Sequence, residues 1–177
     1  SEILTVELEN DFFPFLYPNQ YVNFSPDSEA SKLALSMVSE DTTDVDALKQ
    51  IYNYVVNNLT YDYDKAETVE TGYLPDVDET LSTKTGICFD YAALTTAMLR
   101  SCDIPCKLQI GYTGDIKHAW IDVYIRSKGW VTGAVSFNGD SWSLMDPTFD
   151  SSAESDDTEA IQDYIGNADN YTVQFTR

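Results

Sequence analysis

Residues 88–125 change from a helical period to a strand period with only a short stop between them, and this limits the folds open to the chain. Cys88, Tyr91, Ala92, Thr95, Met98 and Leu99 recur at three- and four-residue steps, so they share one helical face. The run Cys102-Asp103-Ile104-Pro105-Cys106 ends that helix, because Pro105 disfavours helix at the residue before it. Asp103 falls where a helix C-terminus often takes glycine, and Asp tolerates the left-handed conformation better than most residues. Residues 107–112 then read as a strand. Residues 117–125 alternate: Ala119, Ile121, Val123 and Ile125 point one way, His118, Trp120, Asp122 and Tyr124 the other. Helical patterns precede this segment and strand patterns follow it, so the expected class is α+β.

The flanking segments fit that order. Residues 3–24 are alternating and aromatic, broken by Pro14 and Pro18, and read as one short strand followed by irregular chain. Ser25 and Pro26 suit a helix cap and first turn, with acids behind them. Val45, Leu48, Ile51, Tyr52, Val55 and Val56 form the stripe of a second helix. Residues 60–76 are polar and rich in turn formers, and 76–86 read as a short helix or loop. Asn138-Gly139 is a strong two-residue hairpin signal. An acidic loop over 150–160, a short helix over 159–167 and a last strand over 171–176 complete the chain.

A chain of 177 residues is expected to form one domain. Its 43% hydrophobic residues and twelve tyrosines suit a real core rather than disorder. The net charge of −20 argues against nucleic acid and against an anionic membrane surface. It is mostly a solvated surface; a cationic substrate or wall polymer is the sharper alternative. No apolar run approaches the roughly 20 residues of a membrane span. The chain begins at Ser1, so we expect a trimmed leader and an extracellular or cell-surface-anchored protein. Three cysteines exclude a dense disulfide scaffold. Cys102 and Cys106 read as small buried residues flanking a turn, with a redox bridge as the alternative. One histidine and no Cys-x-x-Cys pair leave a structural zinc site without ligands, and no cofactor is expected.

Cys88 stands behind Gly86 and Ile87 at an apparent helix start. A thiol attacks poorly and its thiolate well. The helix N-terminus helps ionisation, with free N–H groups and about half a positive charge. A nearby imidazolium helps more. Distant acidic charge is screened beyond roughly 8 Å, so a contact ion pair should win. Asp90 lies about 200° around the helix from Cys88 and should not sit beside the sulfur. The chain's one candidate base is His118, beside Trp120 on the polar face of the alternating strand. A base needs an orienter that fixes its tautomer, and Asp146, before Pro147 at a strand end, is the best candidate. A turn-capping role for Asp146 is the plainer alternative. Tyr61 or Tyr63 reads as cleft wall or, alternatively, as core or turn packing, and the aromatic N-terminus as a cover of the active site or a plain hydrophobic cover.

The stretches 85–112, 118–125 and 142–149 resemble the transglutaminase-like superfamily, whose core is papain-like. Its pattern is a G-x-C-x-x-Y/F-A helix start, a His-Ala-Trp strand and an Asp-Pro-Thr strand end, and all three occur here in order. The resemblance implies a single domain over 1–177, with a catalytic core at 45–150 and an N-terminal extension, 1–25, packed on it. It implies N-terminal helices, with the nucleophile helix packed on an antiparallel sheet. It also implies a Cys88–His118–Asp146 triad acting through a thioester acyl-enzyme, with no metal or organic cofactor. The Cys88 N–H would be one oxyanion donor; the second is not assigned.

The expected function is a bacterial cysteine-dependent amide hydrolase of peptidase or deamidase type, a monomer acting on a peptide, protein or cell-wall peptide. The alternatives are a non-catalytic peptide- or wall-binding module and a transglutaminase acyl transferase. His118 and Asp146 are 28 positions apart, more than a short hairpin requires. A plain three-strand meander would carry Asp146 roughly 20 Å from His118 along the sheet. The triad therefore predicts that 141–146 lie beside 118–123, with 127–139 as an excursion over the cleft. Trp130 and Phe137 would line that flap, and Trp120 and Tyr61 would line the cleft.

Overall fold

The computed structural model describes residues 10–113, 116–137, 142–144 and 171–177. Five helices precede the main sheet: α1 (Glu29–Met37), α2 (Asp44–Asn58), α3 (Tyr63–Thr68), α4 (Val77–Thr83) and α5 (Cys88–Ser101). A small parallel bridge joins β1 (Thr60–Tyr61) to β2 (Thr85–Gly86). The sheet comprises β3 (Cys106–Thr113), β4 (Ile116–Ile125), β5 (Gly129–Phe137), β6 (Trp142–Leu144) and β7 (Tyr171–Thr176). All its pairings are antiparallel, in the order β6-β5-β4-β3-β7. The expected α+β class, with the Cys88 helix packed on an antiparallel sheet, is what the chain adopts.

α5 is the centre of the core. It is buried almost without a break from Asp90 to Arg100, as befits a helix enclosed on every side. α1, α2 and α4 pack on one flank and β3 and β4 on the other. The strand alternation works as expected: Ala119, Ile121, Val123 and Ile125 join the core cluster with Leu94 and Met98. On the other face Asp122 accepts bonds from Gln109 Nε2 at 2.6 Å and from the Gly133 N–H at 2.7 Å. Asp103 takes the left-handed conformation, φ 56°, at the end of α5.

The segment before α1 packs on that outer face. Phe12 meets Tyr124 with ring centroids 4.5 Å apart, Phe15 meets Trp130 at 5.5 Å, and Lys107 Nζ lies 3.8 Å above the Trp130 ring. Arg100 ties this segment to the start of β3 and to the residue that follows β7. It is 2% exposed and donates to the carbonyls of Tyr17 at 2.7 Å, Cys106 at 2.8 Å and Arg177 at 3.1 Å.

Three expectations need correction. α1 begins at Glu29, not at Pro26, because Ser25 is spent in a preceding turn, accepting from the Asp27 N–H at 3.2 Å. Residues 63–68, read as turn-rich chain, form α3, which Asp62 caps by accepting from the Lys65 N–H. Residues 127–137 of the expected 127–139 excursion do not leave the sheet. β5 pairs directly with β4 (Tyr124↔Trp130, Trp120↔Ser136), and β6 pairs with β5 rather than β4 (Phe137↔Trp142). Alternation alone sets which face a residue takes, not which strand lies next to it. The turn at Asn138-Gly139, residues 3–9 of the segment expected to open with a short strand, the acidic loop and the helix expected at 159–167 lie outside the described residues.

Candidate active site

Gly86 and Ile87 deliver the chain into α5 so that Cys88 is its first helical residue. Ile87 has no side-chain acceptor, so Asp90, one turn on, accepts from the Ile87 N–H at 2.8 Å. Asp90 is fully buried and receives two further donors, Lys65 Nζ at 2.8 Å and the Tyr73 hydroxyl at 2.5 Å. Lys65 Nζ also donates to the Tyr73 hydroxyl at 2.7 Å and lies 4.4 Å from its ring centroid. Burial pulls the Lys65 ammonium down, but hydrogen bonds to Asp90 and Tyr73 outweigh it and hold the group above its ordinary value.

Cys88 is half-buried and lines a cleft of about 250 Å³. One wall is the chain from Ala66 to Tyr73, turning at Gly72 with φ 93°. The floor is Ile87, Phe89, Ile110 and Ala119, and Tyr61 closes one side. The β1–β2 pairing sets Tyr61 opposite Gly86, two residues before Cys88. That brings the Cys88 backbone N–H to the Tyr61 hydroxyl oxygen, which accepts from it, a contact that by itself pulls the phenol down. Burial, then the neighbouring Cys88 thiol, push the Tyr61 phenol up to about 12, so it stays protonated across the neutral range.

The expected site residues separate as follows. Tyr61 lines the cleft with Cys88. Ala119 does too, and it is the next residue after His118, whose backbone sits on β4 opposite Gly111. The His118 side chain and all of Asp146 lie outside the described residues. Trp120 is buried at 2% exposure and is not among the cleft-lining residues. Trp130 packs against Phe12, Phe15 and Tyr124 instead of covering the cleft, because β5 is a regular strand of the sheet.

Cys102 and Cys106 are thiols rather than a bridge. Burial pushes Cys102 up to about 11 and Cys106 to about 12. Among the described residues no group of three or more His, Cys, Asp or Glu is placed to hold a metal ion. No helix among them is long and apolar enough to cross a membrane. Lys65, Tyr73 and Asp90 were not singled out as a cluster from the sequence. The one available signal was an acidic residue in the first turn of a helix whose cap position holds Ile.

The family model described as the transglutaminase-like superfamily matches residues 31–147, well over half of the chain. The chain belongs to the transglutaminase-like superfamily. This transglutaminase-like chain is 40% identical over 62 residues to the UPF0252 protein MJ1282 of Methanocaldococcus jannaschii, covering 32% of the chain and 18% of that protein. It is 26% identical over 155 residues to the uncharacterized protein YebA of Bacillus subtilis, covering 75% of the chain and 21% of that protein. Its fold matches the crystal structure of a "Putative Cysteine Protease from Cytophaga hutchinsonii" with a TM-score of 0.56 and 24% identity, over 75% of this chain and 43% of that one. The transglutaminase-like chain thus spans about a fifth of the length of the two sequence relatives. The fold is that of cysteine hydrolases and acyl transferases.

Proposed function

We propose that this domain is a cysteine-dependent amide hydrolase of peptidase or deamidase type, with Cys88 as nucleophile, His118 as base and acid, and Asp146 as orienter. The observation that carries the reading is the position of Cys88. Its thiol stands at a helix tip, in a cleft whose lining includes Ala119, the neighbour of the chain's one histidine. Substrate is a peptide or cell-wall peptide, and the acidic surface, net charge −20, suits a protein working at or outside the cell surface.

In this reading the Cys88 thiolate attacks an amide carbonyl carbon and the carbonyl π electrons move to oxygen. The Cys88 N–H donates to that oxygen. The Tyr61 hydroxyl oxygen accepts that N–H in the free protein; the substrate oxygen takes the N–H over, and the freed Tyr61 O–H turns to it as the second donor. His118 passes its proton to the leaving nitrogen, and a thioester remains. Water, losing a proton to His118, then attacks the thioester carbon and Cys88 departs as thiolate. We favour hydrolysis over transfer because transfer needs a binding site for an amine acceptor as well, whereas water needs none.

The test uses the single imidazole. Its NMR titration in the wild type should have a higher midpoint than in Cys88→Ala, because a thiolate partner holds the imidazolium. Identical titrations in the two proteins would remove the coupling on which the reading depends.

A further inference from the structure

Asp90 solves one problem at the tip of α5 and creates another. The helix begins behind Ile87, whose N–H needs an acceptor, and Asp90 supplies it at 2.8 Å. The result is a carboxylate with no solvent exposure in the same first turn as Cys88. Asp90 stands about 200° around the helix from the sulfur rather than beside it, yet a buried like charge in the same turn opposes ionisation of a thiol through the low-dielectric interior, on a scale of about one pH unit when uncompensated. The cleft that Cys88 lines also holds Tyr61 from β1 and Glu70 and Tyr73 from the wall. β4 contributes Ala119 beside His118. Among the described groups at this site, the cation in contact with Asp90 is Lys65, at 2.8 Å.

We infer that Lys65 is a positioning residue of the nucleophile: its ammonium, clamped between Asp90 and the Tyr73 hydroxyl, offsets the capping carboxylate so that Cys88 ionises near neutral pH. The inference rests on Cys88 being the nucleophile. The same contacts do a second job. Lys65 belongs to α3 and Tyr73 to the far end of the 66–73 wall, so both ends of that wall are fastened to one carboxylate on the nucleophile helix. The ammonium remains charged well beyond the neutral range, so its compensation does not switch off in the range where Cys88 titrates.

The experiment measures iodoacetamide alkylation of Cys88 between pH 5 and 10, read by peptide mass spectrometry. In this step the sulfur bonds to the reagent's methylene carbon and iodide leaves. Cys102 and Cys106 are pushed too high to compete. Lys65→Met should raise the alkylation midpoint by about one pH unit, and Lys65→Arg should restore it. Asp90→Asn, which leaves the ammonium without its carboxylate, should lower the midpoint. The double variant Lys65→Met/Asp90→Asn should return it towards the wild type, and it remains informative if Lys65→Met alone fails to fold. A midpoint unchanged in Lys65→Met while its melting temperature falls would reduce Lys65 to a purely structural role and overturn the inference. So would a double variant displaced as far as, or further than, Lys65→Met. His118→Ala, measured alongside, tests the enzyme reading separately. If it leaves the midpoint unmoved while Lys65→Met shifts it, the proposed triad fails and the role of Lys65 stands.

Discussion

Gly86 lies so close to Asp90 that a Cβ placed on it would meet the Asp90 Cβ at 2.6 Å and Oδ2 at 3.0 Å. The glycine two residues before Cys88 is therefore required by the capping carboxylate, not by an unusual backbone angle. The Asp90 Cβ belongs to the first turn of a buried helix and cannot swing aside as the end of a long side chain would.

Gly86→Ala should accordingly displace Asp90, break its bond to the Ile87 N–H and loosen the Lys65 and Tyr73 contacts together. Overpacking of this kind costs about 1–3 kcal/mol. Urea unfolding should show a lower midpoint with an unchanged slope. A variant as stable as the wild type would mean that α5 can start without the Asp90 cap.

Tyr61→Phe tests the oxyanion role without needing the natural substrate. A peptide aldehyde adds to the Cys88 sulfur as a hemithioacetal, whose oxygen stands where an amide oxyanion would. Removing one donor from such a site should weaken aldehyde inhibition about tenfold or more. Iodoacetamide alkylation, which develops no oxyanion, should change little. Equal losses in both assays would point to disturbed thiol geometry rather than a missing donor.

Periodicity carried far in this chain because two elements are nearly pure cases. The Cys88 helix and the 117–125 strand each follow one repeat, and the left-handed residue after the helix is announced by Asp103 before Ile104-Pro105. The cleft was legible only in part. Cys88 and Tyr61 lie close in space because β1 and β2 pair across 25 positions, a contact no local pattern specifies. The Lys65–Asp90 bond also spans 25 positions, and α3 has six residues, too few to show a stripe. Strand order failed for a different reason. Placing 141–146 beside β4 followed from asking what a triad would need, whereas β5 simply follows its own hairpin at 126–128 back along β4. The position of Asp146 relative to His118 is therefore still a matter of the proposed function.

Arg100 makes a separate prediction about the fold. Its guanidinium is buried among carbonyl oxygens of Tyr17, Cys106 and Arg177. Burial pulls it below its ordinary value, yet a guanidinium stays charged at any working pH. Arg100→Met would fill much of the volume and take the guanidinium donors from the Tyr17 and Cys106 carbonyls, while the Arg177 carbonyl keeps the Leu108 N–H at 2.7 Å, at a cost of roughly 3 kcal/mol. Hydrogen exchange should show the effect spreading to residues 12–22 and 106–110, which the side chain joins. A loss confined to α5 would show that the N-terminal segment is held by its aromatic contacts alone.

Asp44 supplies the pH dependence. It opens α2 and is buried, and it accepts from the Arg126 backbone N–H at 2.9 Å and from the Arg126 guanidinium. The Arg126 side-chain hydrogen bonds, opposed by burial, hold the Asp44 carboxyl below its ordinary value. A carboxyl lowered in the folded state binds its proton more readily when unfolded. The stability it adds is therefore complete above the unfolded value of about 3.9 and is lost as pH falls through the lower folded value. Asp44→Asn should melt at a lower temperature than the wild type at pH 7. The gap should hold down to about pH 5 and close below about pH 4, as the wild-type carboxyl protonates. Melting curves of both proteins at pH 7, 5, 4 and 3 measure it. A gap that stays constant to pH 3 would show that the ion pair adds no pH-dependent stability, and that Asp44 acts only as a neutral acceptor at the start of α2.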